Sequence, residues 1–171
     1  MSILARIDAL VLAGQLYERP SSYLGISART MYLTPYVDAL VMRPFPNTLE
    51  GERYAAVAQY LDAFCELNEI TVTQNPDDKP PWVMLSRVRK VEDDFWSMRI
   101  IDPDETAGMR ILGAFCALDS FVGLSCDFRE DMKPFDNDVA LAKQTWVDLF
   151  GTLKPHTGST LDEYLTNYSE H

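Results

Sequence analysis

Apolar residues recur at helical spacing in three segments of the chain. In residues 3–16 they lie one, three, four or five positions apart, which is typical of one face of an amphipathic helix, and Ser2 is suited to cap its start. A second segment of this kind follows the candidate caps Asn47 and Thr48, and a third covers residues 137–150. The pattern therefore predicts three helices.

Other segments have the composition and spacing of β-strands. The predicted strands cover residues 36–42, 95–101, 109–118 and 120–128. In the second of these, Trp96, Met98 and Ile100 lie on one side, because successive side chains of a strand point to opposite faces. Residues 82–91 are apolar-rich and fit either a helix or a strand, and residues 102–108 form a polar turn.

These elements predict one α+β domain. A chain of 171 residues has the usual length of a single domain. We expect a small antiparallel sheet of three to four strands packed against helices, with an N-terminal helical extension. Residues 1–46 form that extension, an amphipathic helix plus a possible strand. Residues 47–171 form the α+β core and a C-terminal tail, and the two parts belong to one cooperative domain.

The charge of the chain restricts its partners. The chain has 15 basic and 26 acidic residues, which gives a formal net charge of −11. The mean field repels phosphate, so broad, non-specific attraction to nucleic acid or to an anionic membrane is excluded, although a local basic site is compatible with it. The three cysteines have no CxxC spacing and indicate free thiols. The start of the chain has no basic leader, and no apolar run approaches the ~18 residues of a membrane span, so we expect a cytoplasmic protein without membrane contact.

The inventory of reactive side chains excludes several kinds of site. Glycines never occur in a phosphate-loop spacing, and the two histidines, His156 and His171, both lie in the last 16 residues. We therefore expect neither a cofactor nor a metal, and a Ser/His/Asp hydrolase would have to take its base from the tail. Acidic residues cluster at 92–94, 102–105 and 130–131, where solvated turns explain them better than a divalent metal site.

Basic residues are few and concentrate near the predicted sheet. Arg99 and Arg110 lie in adjacent predicted strands, and alternation turns Arg99 away from the Trp96 side. Two arginines on neighbouring strands could clamp an oxyanion or a phosphate, since each guanidinium is a planar fork of donors. The alternative is that they form surface ion pairs with Asp102, Asp127 or Glu130.

Residues 84–99, 109–115 and 121–124, followed by a helix that ends near Trp146, resemble the RelE/ParE toxin superfamily, in its HigB-like, phage-related branch. The resemblance covers about residues 52–150. It implies a RelE-like sheet and a toxin of a toxin–antitoxin pair that cleaves mRNA on the ribosome without a metal. In such a mechanism, basic side chains stabilise charge on the scissile phosphate while the neighbouring 2′-hydroxyl attacks.

The resemblance also implies roles for individual residues of this chain. The catalytic candidates are Arg99, Arg110 and Arg129. The substrate-binding candidates are Arg87, Arg89, Lys90 and Lys133. The chain departs from the family pattern at Ser97 and Met98, where members often carry an acidic residue, and at Glu130 and Asp131, where toxins tend to be basic.

Two further hypotheses belong to other functional classes. The acidic charge favours a non-catalytic protein–protein interaction module with the same fold, whose partner is another protein or a second copy of the chain. RNA or the ribosome is a partner only if toxin activity is retained. A hydrolase or small-molecule binder with a pocket between sheet and helices is the third hypothesis, and the lack of a convergent nucleophile–base pair argues against it.

Overall fold

A computed structural model describes residues 2–19, 29–66, 68–100 and 108–171. The helices of these residues are α1 (Ile3–Leu12), α2 (Pro35–Val41), α3 (Leu49–Cys65) and α4 (Phe135–Phe150), with short 3-10 helices at Val91–Asp93 and Leu161–Glu163. The strands are β1 (Tyr17–Arg19), β2 (Thr30–Leu33), β3 (Ile70–Thr73), β4 (Leu85–Arg87), β5 (Phe95–Ile100), β6 (Met109–Ala117), β7 (Ser120–Phe128) and β8 (Tyr168–Glu170). No described helix has the length and apolar composition needed to cross a membrane.

All eight strands belong to one mixed sheet in the order β1-β2-β7-β6-β5-β4-β3-β8. The antiparallel series β4–β5–β6–β7 forms its centre, whereas β2 pairs parallel with β7, and β3 pairs parallel with both β4 and β8. The predicted small antiparallel sheet of three to four strands is therefore wrong, and with it the RelE-like fold. The added strands are three or four residues long, too short for an alternating pattern to distinguish them from loops.

The predicted strand over residues 36–42 is also wrong, because this segment forms helix α2. Thr34 precedes the helix in an extended conformation and Pro35 occupies its first turn, where the missing N–H and the fixed φ of proline suit a helix. Val37 and Val41 are four residues apart and bury one face of it. The sequence analysis treated the prolines as strand boundaries, although one of them starts a helix.

The three longer helices agree with the prediction, with shifted ends. The Ser2 hydroxyl accepts a hydrogen bond from the backbone N–H of Ala5 at 3.2 Å, and α1 ends at Leu12 instead of residue 16. The Thr48 hydroxyl caps α3 by accepting from the N–H of Gly51 at 3.1 Å. Helix α4 begins at Phe135, directly after a proline and two residues before the predicted start at residue 137.

The sheet carries a hydrophobic core on each face. Helices α2 and α3 and the C-terminal segment pack on the first face, whose centre contains Trp96, Phe115 and Phe121. Helices α1 and α4 pack on the second face against residues that include Phe95 and Leu112. Because α1 and α4 cover only part of the second face, polar side chains of β5, β6 and β7 also lie on it, and they form the site described next.

Candidate anion-binding site

The pair Arg99 and Arg110 is the centre of the candidate site. The register of β5 and β6 places the two residues directly opposite each other. They lie on the second face of the sheet, since their neighbours along the strands, such as Ile100 and Ile111, belong to the core of the first face. Opposed residues of an antiparallel pair have Cβ atoms about 5 Å apart, so two cationic side chains leave the sheet side by side.

Arg129 adds a third cation immediately after β7. Its backbone N–H donates to the carbonyl of Gly108 at 2.9 Å, and its guanidinium donates to the carbonyl of Met132 at 3.1 Å. The guanidinium also lies 5.1 Å from the ring centre of Phe135, at the start of α4. These contacts hold Arg129 close enough to Arg110 for its charge to lower the pKa of that residue.

Lys79 contributes a fourth cation from the connection between β3 and β4. This connection lies against β5, because Arg99 donates to the carbonyl of Pro80 at 2.8 Å. Burial lowers the pKa of Lys79, and the charges of Arg99 and Arg110 also lower it, while Asp77 acts in the opposite direction. We call Lys79, Arg99, Arg110 and Arg129 the cationic cluster.

Arg110 is the residue whose charge the surroundings oppose most. Burial lowers its pKa to about 10, and the charges of Arg99 and Arg129 act in the same direction. Its guanidinium donates to the carbonyl of Met109 at 2.7 Å. Within the described ranges, neither Arg110 nor Arg99 forms an ion pair with a carboxylate. A partly desolvated group of like charges is costly for the fold, and such groups concentrate at functional sites.

Two buried hydroxyls lie beside the cluster on the same face. Ser97 is two residues from Arg99 along β5, and Ser86 is its partner on β4. Both side chains are almost completely buried, with residue exposures of 2% and 0%. Among the described residues neither hydroxyl has a hydrogen-bond partner.

The structure places the predicted substrate-binding residues apart from this cluster. Arg87 lies on the first face, in an ion pair with Asp94 and 3.2 Å from the Tyr164 hydroxyl. Arg89 forms an exposed ion pair with Asp77 at 2.7 Å. The remaining two, Lys90 and Lys133, are exposed in the connections that follow β4 and β7.

The contacts of Arg87 are those of a structural cation. The Tyr164 hydroxyl donates to the same Asp94 carboxylate at 2.5 Å, and burial and this hydrogen bond raise the pKa of Tyr164 to about 12. The guanidinium of Arg87 lies 5.6 Å from the ring centre of Trp96. This arrangement connects β4 and the C-terminal segment through the core, and it leaves Arg87 little freedom to bind a substrate.

The sequence analysis missed Lys79 and the buried Arg29. Residues 73–81 have only the turn chemistry of a loop in the sequence, and the pairing of β3 with β4 shows that this loop lies beside Arg99. Arg29 is completely buried at the start of β2 and donates to several backbone carbonyls, among them those of Phe64 and Asn167. Its partners are so widely separated in sequence that local patterns give no indication of them.

Other chemistry has little basis in the described residues. No group of three or more His, Cys, Asp or Glu side chains there is arranged to hold a metal ion. The three cysteines are buried thiols, and burial raises the pKa of Cys65 to about 11 and those of Cys116 and Cys126 to about 12. Such thiols remain protonated near neutral pH and are poor nucleophiles.

Comparisons of the chain with protein-family models, with curated proteins and with solved structures give no match. The resemblance to the RelE/ParE superfamily therefore stays a prediction. The argument about function depends on the geometry of the cationic cluster alone.

Proposed function

We propose that this protein binds a small phosphate-bearing ligand at the cationic cluster and does not cleave it. The observation that carries the proposal is the pairing of Arg99 and Arg110 on neighbouring strands, partly buried and without a carboxylate partner among the described residues. Lys79 and Arg129 bring the local charge to four positive groups. A multiply charged oxyanion would offset this charge, and guanidinium forks match its oxygen geometry.

The size of the ligand follows from the charge of the whole chain. At a net charge of −11, a long polyanion such as RNA meets repulsion wherever it extends beyond the cluster. A small ligand occupies only the positive region. This difference favours a low-molecular-weight phosphate compound over a nucleic acid.

The contacts of the two histidines in the described part of the chain support binding without catalysis. Metal-independent RNA cleavage needs a group that removes the 2′-hydroxyl proton, in addition to cations that stabilise the phosphate. His156 Nε2 lies 2.7 Å from the carbonyl oxygen of Glu163, and His171 Nε2 lies 3.6 Å from Asp78 Oδ1, so each ring has a partner outside the cluster. The proposal thus agrees with the hypothesis of a non-catalytic module, with a small ligand as the partner.

Calorimetric titration with inorganic phosphate and with pyrophosphate tests the proposal. We expect saturable binding of pyrophosphate that is tighter than binding of phosphate, because more charges are paired, and that weakens as salt is added. Arg99→Gln and Arg110→Gln should each weaken it at least tenfold. Lys154→Gln removes the same charge from an exposed loop after α4 and should leave it unchanged.

Two results would contradict the proposal. Absence of saturable binding up to about 10 mM pyrophosphate would exclude a specific site. If Lys154→Gln weakened pyrophosphate binding as much as Arg99→Gln and Arg110→Gln, the loss of affinity would come from the net charge of the chain and not from the cluster. Incubation with single-stranded RNA is the second measurement. Cleavage that Arg110→Gln abolishes would favour the ribonuclease prediction over binding alone.

A further inference from the structure

A cleft of about 840 Å³ lies between helix α4 and the start of α2. Its floor is the second half of β7, and the turn after α1 closes one end. This volume is within the range of sites that bind small organic ligands. None of the cationic cluster residues lines the cleft, but Arg110 is the cross-strand partner of Asp127, which does, so the two proposed sites are neighbours on the sheet.

A β-bulge shapes the floor of the cleft. Leu112 of β6 pairs with Ser125, but the next residue, Gly113, pairs with Gly123, so Leu124 is an extra residue in β7. A bulge interrupts strand alternation, and it places the neighbours Leu124 and Ser125 together on the α4 side. The carbonyls of Gly123 and Leu124 then accept hydrogen bonds from the backbone N–H and the hydroxyl of Thr34 at 3.1 Å, which fixes the start of α2 at the rim.

One end of the cleft is acidic. Asp127 of β7, Asp131 of the following turn and Asp138 of α4 line it. Burial raises the pKa of Asp127, and the charges of Asp138 and Asp131 raise it further, while a hydrogen bond from Tyr36 lowers it. Three carboxylates in one partly desolvated cleft repel one another, and a cation bound among them would relieve the repulsion.

The rest of the cleft combines apolar walls with an unused polar atom. Leu124, Met132 and Leu141 contribute apolar surface. The hydroxyl of Ser125 is inaccessible to solvent, and within the described part of the chain it has no hydrogen-bond partner. A ligand that fits this surface has an apolar body and a positively charged, hydrogen-bonding end.

We propose that this cleft binds a small organic amine, with its ammonium group between Asp127 and Asp138 and its apolar part along α4. A bare metal ion fits the cleft less well, because the described carboxylates do not form a group of three that could hold one. An anionic ligand is excluded by the same three aspartates. The occupant is therefore cationic and amphipathic.

A matched pair of probes tests the proposal on the full chain. 2-Phenylethylamine and 2-phenylethanol have the same apolar part, and only the amine is charged at pH 7. We expect saturable binding of the amine by calorimetry and amide shifts of cleft residues in NMR spectra. The alcohol should bind at least tenfold more weakly.

Substitutions locate the site. Asp127→Asn should weaken amine binding at least tenfold, and Asp148→Asn, which removes the same charge from an exposed position of α4 outside the cleft lining, should not change it. Ser125→Ala removes the hydroxyl without adding an atom, and it should weaken the amine more than the alcohol. Circular dichroism verifies that each variant is folded.

Equal affinity for amine and alcohol, or amine binding that Asp127→Asn leaves unchanged, would overturn the proposal. Shifts confined to residues outside the cleft would do the same. Arg99→Gln, on the strand beyond Arg110, should weaken pyrophosphate binding without changing amine binding, so failure of this proposal and failure of phosphate binding are distinguishable.

Discussion

The guanidinium of Arg110 is held where burial and two neighbouring cations oppose its charge. A side chain in this position lowers the stability of the free protein, and the proposed binding of an anion would offset this cost. Arg29 differs in its partners. Burial lowers its pKa as well, but Asp119 acts in the opposite direction, and its guanidinium donates to carbonyls of distant segments. The two arginines show that burial alone does not distinguish a candidate binding residue from a structural one. The hydrogen-bond and ion-pair partners of the side chain make that distinction.

Arg110→Met tests this distinction at a single residue. Methionine keeps the apolar stem and removes the repelled charge, so we expect the free energy of unfolding to rise by about 1 kcal/mol while pyrophosphate binding is lost. Urea unfolding without ligand measures the first quantity and calorimetry the second. Arg110→Lys, which keeps the charge, should not be stabilised. A fall in the stability of Arg110→Met would show that a carboxylate pairs with Arg110, as the ion-pair hypothesis requires.

At the scale of elements, close contact between β6 and β7 sets the geometry of both proposed sites. Gly113 lies at the bulge, and an added Cβ there would meet the Val122 carbonyl oxygen at 2.0 Å. The glycine therefore permits the register in which Arg110 faces Asp127 and Leu124 is the extra residue. A side chain at position 113 would force the strands apart, and this would alter the cleft floor and the Arg99–Arg110 pair together.

We expect Gly113→Ala to lower the free energy of unfolding by about 3 kcal/mol, because rigid backbone atoms must move to accept the methyl group. Gly151→Ala is a suitable comparison. Gly151 has a φ of +64° but no atom within 4 Å of an added Cβ, so only conformational strain of about 1 kcal/mol applies. Chemical denaturation measures the loss of unfolding free energy in each variant. Equal losses would contradict the prediction that a Cβ at position 113 clashes with β7.

At the scale of the whole molecule, contacts between distant parts of the sequence hold the sheet together. Arg29 at the start of β2 donates to carbonyls at the end of α3 and in the C-terminal segment, including Phe64 and Asn167. The C-terminal strand β8 pairs with β3, and the Asp119 turn between β6 and β7 accepts from the hydroxyl of Thr166 at 2.7 Å. The C-terminal segment is thus part of the sheet and α1 packs on it, and we expect the described chain to unfold as one unit.

Arg29→Met removes the donor that joins these parts. Several buried carbonyls and Asp119 would lose a partner, so we expect the free energy of unfolding to fall by about 3–5 kcal/mol. Arg43→Met, at an exposed position after α2, should change it by less than about 0.5 kcal/mol. Fluorescence and circular dichroism should report the same transition in the wild type. Separate transitions, or a small effect of Arg29→Met, would show that the C-terminal segment unfolds independently.

The sequence by itself determined the elements whose information is local. Helices α1, α3 and α4 and strands β5, β6 and β7 were predicted because each is long enough for several periods of its pattern, and the caps Ser2 and Thr48 were correct for the same reason. Alternation also placed Arg99 opposite the Trp96 side. These properties depend on neighbours within about ten residues.

The tertiary structure decided what surrounds each charged side chain. Arg87, Arg99 and Arg110 look alike in the sequence, yet one is paired with Asp94 in the core and the other two stand together on the second face. Lys79 joins them only because β3 and β4 are parallel neighbours. Strand pairing across many residues and the bulge at Leu124 have no local signature, since main-chain hydrogen bonds form with almost any side chain. The chain therefore specifies its elements locally, and the partners of its charges arise from their assembly.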